Sequence, residues 1–277
     1  MRMTNNKPLT SAPEKKEGAF QPSTGEAETA QFGYRKVPVK EKANWVRNHF
    51  DTVAQKYDLM NTLLSFGIHY LWKRRAIKLL GLKPGDRVLD VCGGTGDLSI
   101  LAVKKVGRSG RVFIYDINRA MMEMGRHKST NAPARKEILF VQGDAESISF
   151  KSESFDAAMV GFGIRNLTHI DKGFREMFRV LKPGGRLMCL EFSKPIWPWF
   201  RWLYDFYSFH IMPFLGLLIV GSRQAYTYLP ESIRLFPTPA ELSSRLEEIG
   251  FRQVAYRPLT NGIAVVHWGI KNETELG

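Results

Sequence analysis

The sequence predicts an α/β protein built on a mostly parallel, seven-stranded sheet with helices on both faces. Three observations lead there. From residue 87 onward, short apolar runs alternate with segments of helical period, the pattern of consecutive βαβ units. Glycine turns punctuate that alternation: Lys83-Pro84-Gly85-Asp86 and Lys182-Pro183-Gly184-Gly185 each stand just ahead of an apolar run. The first run, 87–91, leads straight into the loop Cys92-Gly93-Gly94-Thr95-Gly96-Asp97, and in a doubly wound sheet ligands bind beyond the carboxyl ends of the strands.

Taken in order, residues 1–30 are rich in Lys, Glu, Pro, Ser, Thr and Gly with almost no large apolar side chain. Such a segment cannot bury enough surface to offset chain ordering, so a disordered tail is expected, and with no apolar stretch it is not a secretory signal peptide. Residues 31–277 are expected to form one domain. Within it, 31–83 supply N-terminal cap helices: from Glu41 onward, Val46, Phe50, Val53 and Tyr57 recur at helical spacing. Residues 84–195 form the core, with strands at 87–91, 111–115, 138–142, 156–160 and 187–192. Residues 237–277 close the domain with a helix at 239–249 and strands near 251–256 and 263–270.

Between them, at 196–236, lies an insertion that opens on an aromatic run, IWPWFRWLYDFYSFHIMPFLGLLIV. Pro198, Arg201, Asp205, His210 and Pro213 interrupt it, leaving apolar stretches too short to cross a bilayer. A helical lid over an apolar substrate, touching the bilayer surface, is the expectation; two buried core helices are the alternative.

Lys and Arg outnumber Asp and Glu by 40 to 27, a net charge of +13, which favours an acidic partner such as nucleic acid, anionic lipid or a phosphorylated ligand. The excess is concentrated in residues 31–83, where eleven Lys/Arg face only Glu41, Asp51 and Asp58. Cys92 and Cys189 show neither disulfide nor metal-ligand spacing, and a reducing cytosol is the natural compartment.

The glycine loop narrows the ligand. A dinucleotide loop wants a third small residue to seat pyrophosphate, but Gly94 and Gly96 are followed by Ser99. Asp90, an acid at the end of the preceding strand, would sit badly beside pyrophosphate and suits the cationic end of S-adenosylmethionine (SAM). The fold is therefore expected to be Rossmann-like, of the class I SAM-dependent methyltransferase kind. Asp116, ending the next strand, can accept hydrogen bonds from ribose hydroxyls, or serve only structurally beside Asn118, a plausible helix cap. Asp144, after the third strand, can accept from an adenine amino group, or be a surface turn acid.

At this point the residues resemble the ubiquinone/menaquinone biosynthesis C-methyltransferases. The matching blocks are FDTVAQKYDLMNTLLSFGIHYLWKR (50–74), VLDVCGGTGDL (88–98), DIN (116–118), FGIRN (162–166), LKPGGR (181–186), EFSKP (191–195), YSFH (207–210) and the stretch around Tyr228 to Arg234. The resemblance implies methyl transfer from SAM to a ring carbon of a polyprenylated quinol, either demethylmenaquinol or 2-methoxy-6-polyprenyl-1,4-benzoquinol. It implies cofactor contacts at Thr95, Asp116, Asp144 and Ala145. At Gly161, similar enzymes carry a serine that touches the cofactor.

A sulfonium methyl is already activated, so the protein must chiefly align the acceptor carbon and exclude water; no metal is required. A quinol carbon becomes nucleophilic when the neighbouring hydroxyl, ordinarily titrating near pKa ~10, loses its proton. Arg165 and Asn166 are candidates to stabilise the resulting oxyanion, with a structural ion pair as the competing account of Arg165. Tyr57 and the histidines His69 and His210 are candidate proton acceptors or positioning groups, either histidine being equally readable as a hydrogen-bonded core residue. Lys73, Arg74, Arg75 and Lys78 are expected to meet anionic lipid, giving a cytoplasmic protein peripheral on the inner membrane face. A homodimer or a quinone-synthesis complex is compatible with this reading. The rivals are an RNA-modifying methyltransferase, disfavoured because the aromatics are not interleaved with cations, and a catalytically silent SAM-binding scaffold.

Overall fold

The computed structural model describes Met1, residues 28–130 and residues 135–272. Most of the tail expected over 1–30 lies outside the described residues. Its end does not: β1 (Thr29–Phe32) and β2 (Arg35–Pro38) pair as an antiparallel hairpin. Phe32 stacks on Tyr228 with ring centroids 4.3 Å apart, and the Tyr34 N–H donates to Glu231 at 3.0 Å. The hairpin thus fixes the start of the folded chain against a helix near its other end.

The cap continues as α1 (Val39–Val53), α2 (Tyr57–Leu64) and α3 (Ile68–Leu80). The core alternates β3 (Arg87–Val91), α4 (Asp97–Val106), β4 (Arg111–Asp116), α5 (Arg119–Ser129), β5 (Ile138–Gln142), β6 (Phe155–Gly161), α6 (Ile170–Val180) and β7 (Leu181–Phe192). Then come α7 (Pro198–Phe206), α8 (Met212–Val220), α9 (Arg223–Leu235), α10 (Pro239–Ile249), β8 (Phe251–Leu259) and β9 (Ala264–Lys271).

The seven strands run in the order β5-β4-β3-β6-β7-β9-β8. All neighbours are parallel except β9, which is antiparallel to β7 and β8. After β5 the chain returns to the far side of β3, so a crevice opens at the carboxyl ends of β3 and β6. Because both faces are covered, successive strand residues are buried in opposite directions. Leu89, Ala158 and Val160 join Phe174, Met177 and Leu246 on one face. Val88, Ala157 and Met159 join Ile77, Leu80 and Val103 on the other.

The aromatic insertion is not the pair of buried core helices that was the alternative, and it is more continuous than its prolines and charges suggest. Pro198–Val220 is one helical run of 23 residues, apolar and long enough to cross a membrane by length and composition, with 28% of its most apolar 18-residue window buried. A wider π turn, Tyr207–Ile211, carries the run past Pro213, giving room where a proline would otherwise clash with the preceding turn. Its prolines and charges do not break it. It lies along the protein on one stripe, Tyr204, Ser208, Met212, Pro213 and Gly216, while Trp199, Trp202, Phe214 and Leu218 stay exposed. It is neither a pair of core helices nor an isolated span.

The last helix starts at a capping box in which Thr238 and Glu241 satisfy each other's backbone N–H groups. Thr238→Ala is expected to lower unfolding free energy by about 1 kcal/mol in chemical denaturation, and Thr238→Ser to restore most of it.

Candidate active site

A cavity of about 380 Å³ lies at the carboxyl ends of the central strands and is walled by the glycine loop, the ends of β3, β4 and β6, and helix α1. The loop needs its glycines. Gly96 has φ +78°, and a Cβ there would stand 2.8 Å from Ile114 Cδ1, so a side chain would both strain the turn and clash with the sheet. Gly94, with φ +50°, donates its N–H to Asp116 Oδ2 at 2.8 Å.

Asp90 is 1% exposed. Its Oδ2 accepts from the Ser99 hydroxyl at 2.6 Å, while Oδ1 has no hydrogen-bond partner among the described residues. Burial pushes its carboxyl up to about 7, against the Ser99 hydrogen bond. A half-satisfied buried carboxyl on a cavity wall is suited to an incoming cation or donor. Asp116 is also buried; its Oδ1 accepts from the Asn118 N–H at 2.7 Å. Burial raises it to about 6 against three backbone hydrogen bonds. Asn118 does cap α5, so Asp116 has a structural role and lines the cavity as well.

Asp144 accepts the Glu146 N–H at 2.9 Å, making it the turn acid that was the alternative reading, and it lines the same cavity beside buried Ala145. Gly161 lines it too, but Leu98 Cδ1 stands 2.5 Å from where a β-carbon would be, so leucine occupies the space of a serine. Thr95 lines the cavity as well, and its hydroxyl donates to Asp58 Oδ1 at 2.9 Å.

That contact belongs to a partly buried charge network joining the cap to the loop. Lys73 pairs with Asp97 at 2.5 Å, and Lys128 bridges Asp97 and Asp58, the latter at 2.6 Å. Burial would raise Asp97, but Lys73 and Lys128 outweigh it and hold the carboxyl below its ordinary range. Lys73 is 6% exposed, which corrects the expectation that it meets lipid; Arg74 and Lys78 are the exposed members of that run.

A second cavity, about 500 Å³, is lined mainly by aromatic and aliphatic side chains of the cap and of the 198–220 helix. It shares Phe50, Tyr57, Lys73 and Phe162 with the first, so the two chambers meet across one wall. Arg165 lines it and is locked from behind: Nη1 donates to Glu191 Oε1 at 2.8 Å, both side chains being buried, and the guanidinium lies 5.4 Å over the Phe192 ring. Burial raises the Glu191 carboxyl, with Arg165 opposing. The ion-pair account of Arg165 is thus correct, and it coexists with a place on the cavity wall. Asn166 lines the first cavity instead, its Oδ1 accepting from the Tyr228 hydroxyl at 2.8 Å.

His69 reaches the second cavity with its Nδ1 2.6 Å from Ser65 Oγ; burial, then Lys73, lower it to about 4. Tyr57 also lines it, its phenol raised by burial against a hydrogen bond from Asn61. His210 does not join the site. It is exposed on the outer side of the helix, stacked on Phe206 with Nδ1 3.2 Å from the Phe206 carbonyl, because the wall is built from neighbouring positions Tyr207 and Ile211.

Four participants escaped the sequence reading. Glu191 was a lone acid at a strand end whose partner lies 26 residues away. Asp97 and Lys128 meet only through the fold. His49 lines the second cavity, and burial, then Arg165, lower it to about 4; its place three residues after Val46 on the apolar stripe of α1 was the available signal.

The sheet order and this loop define a class I SAM-dependent methyltransferase fold. Among solved structures it is shared by a SAM-dependent methyltransferase of Thermotoga maritima, described as a possible histamine N-methyltransferase, with TM-score 0.58 and 18% identity over 82% of this chain and 99% of that one. Residues 36–271 match the model of the ubiE/COQ5 methyltransferase family. The ubiquinone/menaquinone biosynthesis C-methyltransferase UbiE of Methylococcus capsulatus is 47% identical over 243 residues, 88% of this chain and 98% of that protein. The enzyme of the same name from Haemophilus ducreyi is 48% identical over 244 residues, 88% of this chain and 94% of its own length. The chain belongs to the ubiE/COQ5 methyltransferase family, and it is a SAM-dependent enzyme of that kind.

Removing one partner of a buried pair strands the other charge. Glu191→Ala is expected to cost about 3–5 kcal/mol in urea unfolding, with Glu191→Gln less damaging because it keeps a hydrogen bond to Arg165.

Proposed function

We propose that this protein moves a methyl group from SAM to a ring carbon of a polyprenylated quinol, demethylmenaquinol or 2-methoxy-6-polyprenyl-1,4-benzoquinol. The observation that carries this is the shared wall: a polar chamber at the glycine loop and an apolar chamber under the aromatic helix meet at Phe50, Tyr57, Lys73 and Phe162. When bound, SAM supplies an activated methyl group and leaves as S-adenosylhomocysteine.

The chain's own residues do the rest. Asp116 accepts from the ribose and Asp144, beside Ala145, from the adenine; Gly94, Gly96 and Gly161 let the backbone come close. Asp90 turns its free Oδ1 toward the cationic end. In the apolar chamber Arg165, held by Glu191, favours the quinolate over the quinol and so raises the nucleophilicity of the ring carbon. Asn166 is held by Tyr228 and positions the loop that carries Arg165. His69 stays neutral near pH 7, since burial and Lys73 hold it at about 4, so it is a hydrogen-bonding group for a quinol hydroxyl and a weak proton acceptor. Phe50, Phe162 and the helix exclude water.

The prenyl chain accounts for the outer surface. Phe66, 78% exposed, and Trp202, 72% exposed, belong to an apolar surface that runs from the α2–α3 turn, where Phe66 lies 6.1 Å from Tyr207, along the helix. Such a patch exceeds what single stray apolar residues explain. The helix rests at the interface of the cytoplasmic membrane, its buried stripe on the protein and its tryptophans in the headgroup layer.

Incubation with labelled SAM and a chemically reduced demethylated quinone should give a methylated quinol; absence of product with every quinol would reject the assignment. In that assay Arg165→Lys, which loses the planar fork, should lower kcat on the order of 100-fold while SAM affinity is nearly unchanged, whereas Asp116→Ala should abolish SAM binding. Equal loss of binding in both would refute the division of roles. SAM affinity should also depend on pH. With Asp90 raised to about 7 and Asp116 to about 6, the unliganded site holds protons that a cationic ligand must displace. Affinity should rise with pH through that window, with proton release in calorimetry, and Asp90→Asn should flatten the rise. For the helix, Phe206→Ala, on the cavity wall, should raise KM more for long-chain than for short-chain quinols, and Trp202→Ala should weaken sedimentation with anionic vesicles.

A further inference from the structure

We propose that Lys73 is the anchor for the carboxylate at the methionine end of the cofactor, an inference that rests on the SAM reading above. Lys73 is buried, yet it lies on the wall common to both chambers. A lysine has three N–H donors, and among the described residues Asp97 is its one hydrogen-bond acceptor. Two donors therefore remain on a lysine that is 6% exposed. Asp97 does not need Lys73 exclusively, because Lys128 also binds it and bridges on to Asp58.

Charge and covalent geometry place the ligand group. The other basic residues of the first chamber, Lys40, Arg47 and Lys172, are exposed, so Lys73 is its buried cation. The methyl group must emerge at the shared wall, and the carboxylate of the cofactor is only a short aliphatic chain away from the same sulfur. The opposite end of the chamber, at Asp116 and Asp144, takes the uncharged nucleoside. Asp90 and Lys73 then divide the charges of the methionine end between them, the carboxylate of the protein facing cation and the amine facing anion.

The test compares S-adenosylhomocysteine with its decarboxylated analogue, 5′-(3-aminopropyl)thioadenosine, by calorimetric titration. Wild-type protein should bind S-adenosylhomocysteine about tenfold or more tightly than the analogue. Lys73→Gln, which can still hydrogen-bond to Asp97, and Lys73→Met should lose most of that preference while binding the analogue as wild type does. Equal affinity of wild type for the two ligands overturns the assignment whether or not the variants fold. A variant that weakens both ligands alike overturns it too, since a merely structural lysine behaves that way. Wild-type protein that binds neither ligand rejects the cofactor reading itself, and this assignment with it.

Discussion

Everything in the site is arranged around carboxyl groups kept out of water at the ends of parallel strands. Asp90 and Asp116 close β3 and β4, Glu191 stands at the end of β7, and each is pushed upward by burial. An ionised carboxylate in such a place needs partners. Glu191 has them in Arg165 and the Phe192 N–H; Asp116 has backbone N–H groups from both flanks. Asp90 has only Ser99. The sheet topology puts these groups together, and the unevenness of their satisfaction distinguishes a group that supports the scaffold from one that awaits a ligand.

The cap is tied to this scaffold by charge instead of by apolar packing alone. Asp58 from α2 and Lys73 from α3 enter the network of Asp97 and Lys128, which belong to α4 and α5. Four helices therefore meet in one neutral cluster directly behind Thr95. Two apolar clusters pack the sheet, and two smaller ones join the cap to the 198–220 helix and α9. The apolar chamber is the gap left between those two systems.

Much of the fold was legible because parallel strands buried on both faces are continuous apolar runs: 87–91 and 138–142 end where the strands do. The fifth core strand was read too short. It begins at Leu181, ahead of the glycine turn, since Leu181 pairs with Phe155 across an irregularity in β6. The hairpin β1–β2 left little trace, because of its eight residues only Phe32 and Val37 are buried. Loop acids were legible as well; what they touch was not. Lys73 looked like one cation in the run Lys73-Arg74-Arg75, yet it shares a helical stripe with Ile77 and Leu80, both buried, and that periodicity outweighs its charge. His210 looked equivalent to His69 by residue type, and a helical face separates them.

The π turn at Tyr207–Ile211 has a geometric meaning of its own. It places an additional residue in the helical path, and one residue amounts to about 100° of rotation in an α-helix. The wide turn therefore acts as a phase adjuster. It lets Tyr204 before it, Ser208 within it, and Met212 and Gly216 after it face the protein together. Were the same residues wound as a regular α-helix throughout, α8 would be turned by about 100° relative to α7. Gly216, whose lack of a β-carbon admits the Tyr226 ring, would then swing away from the protein.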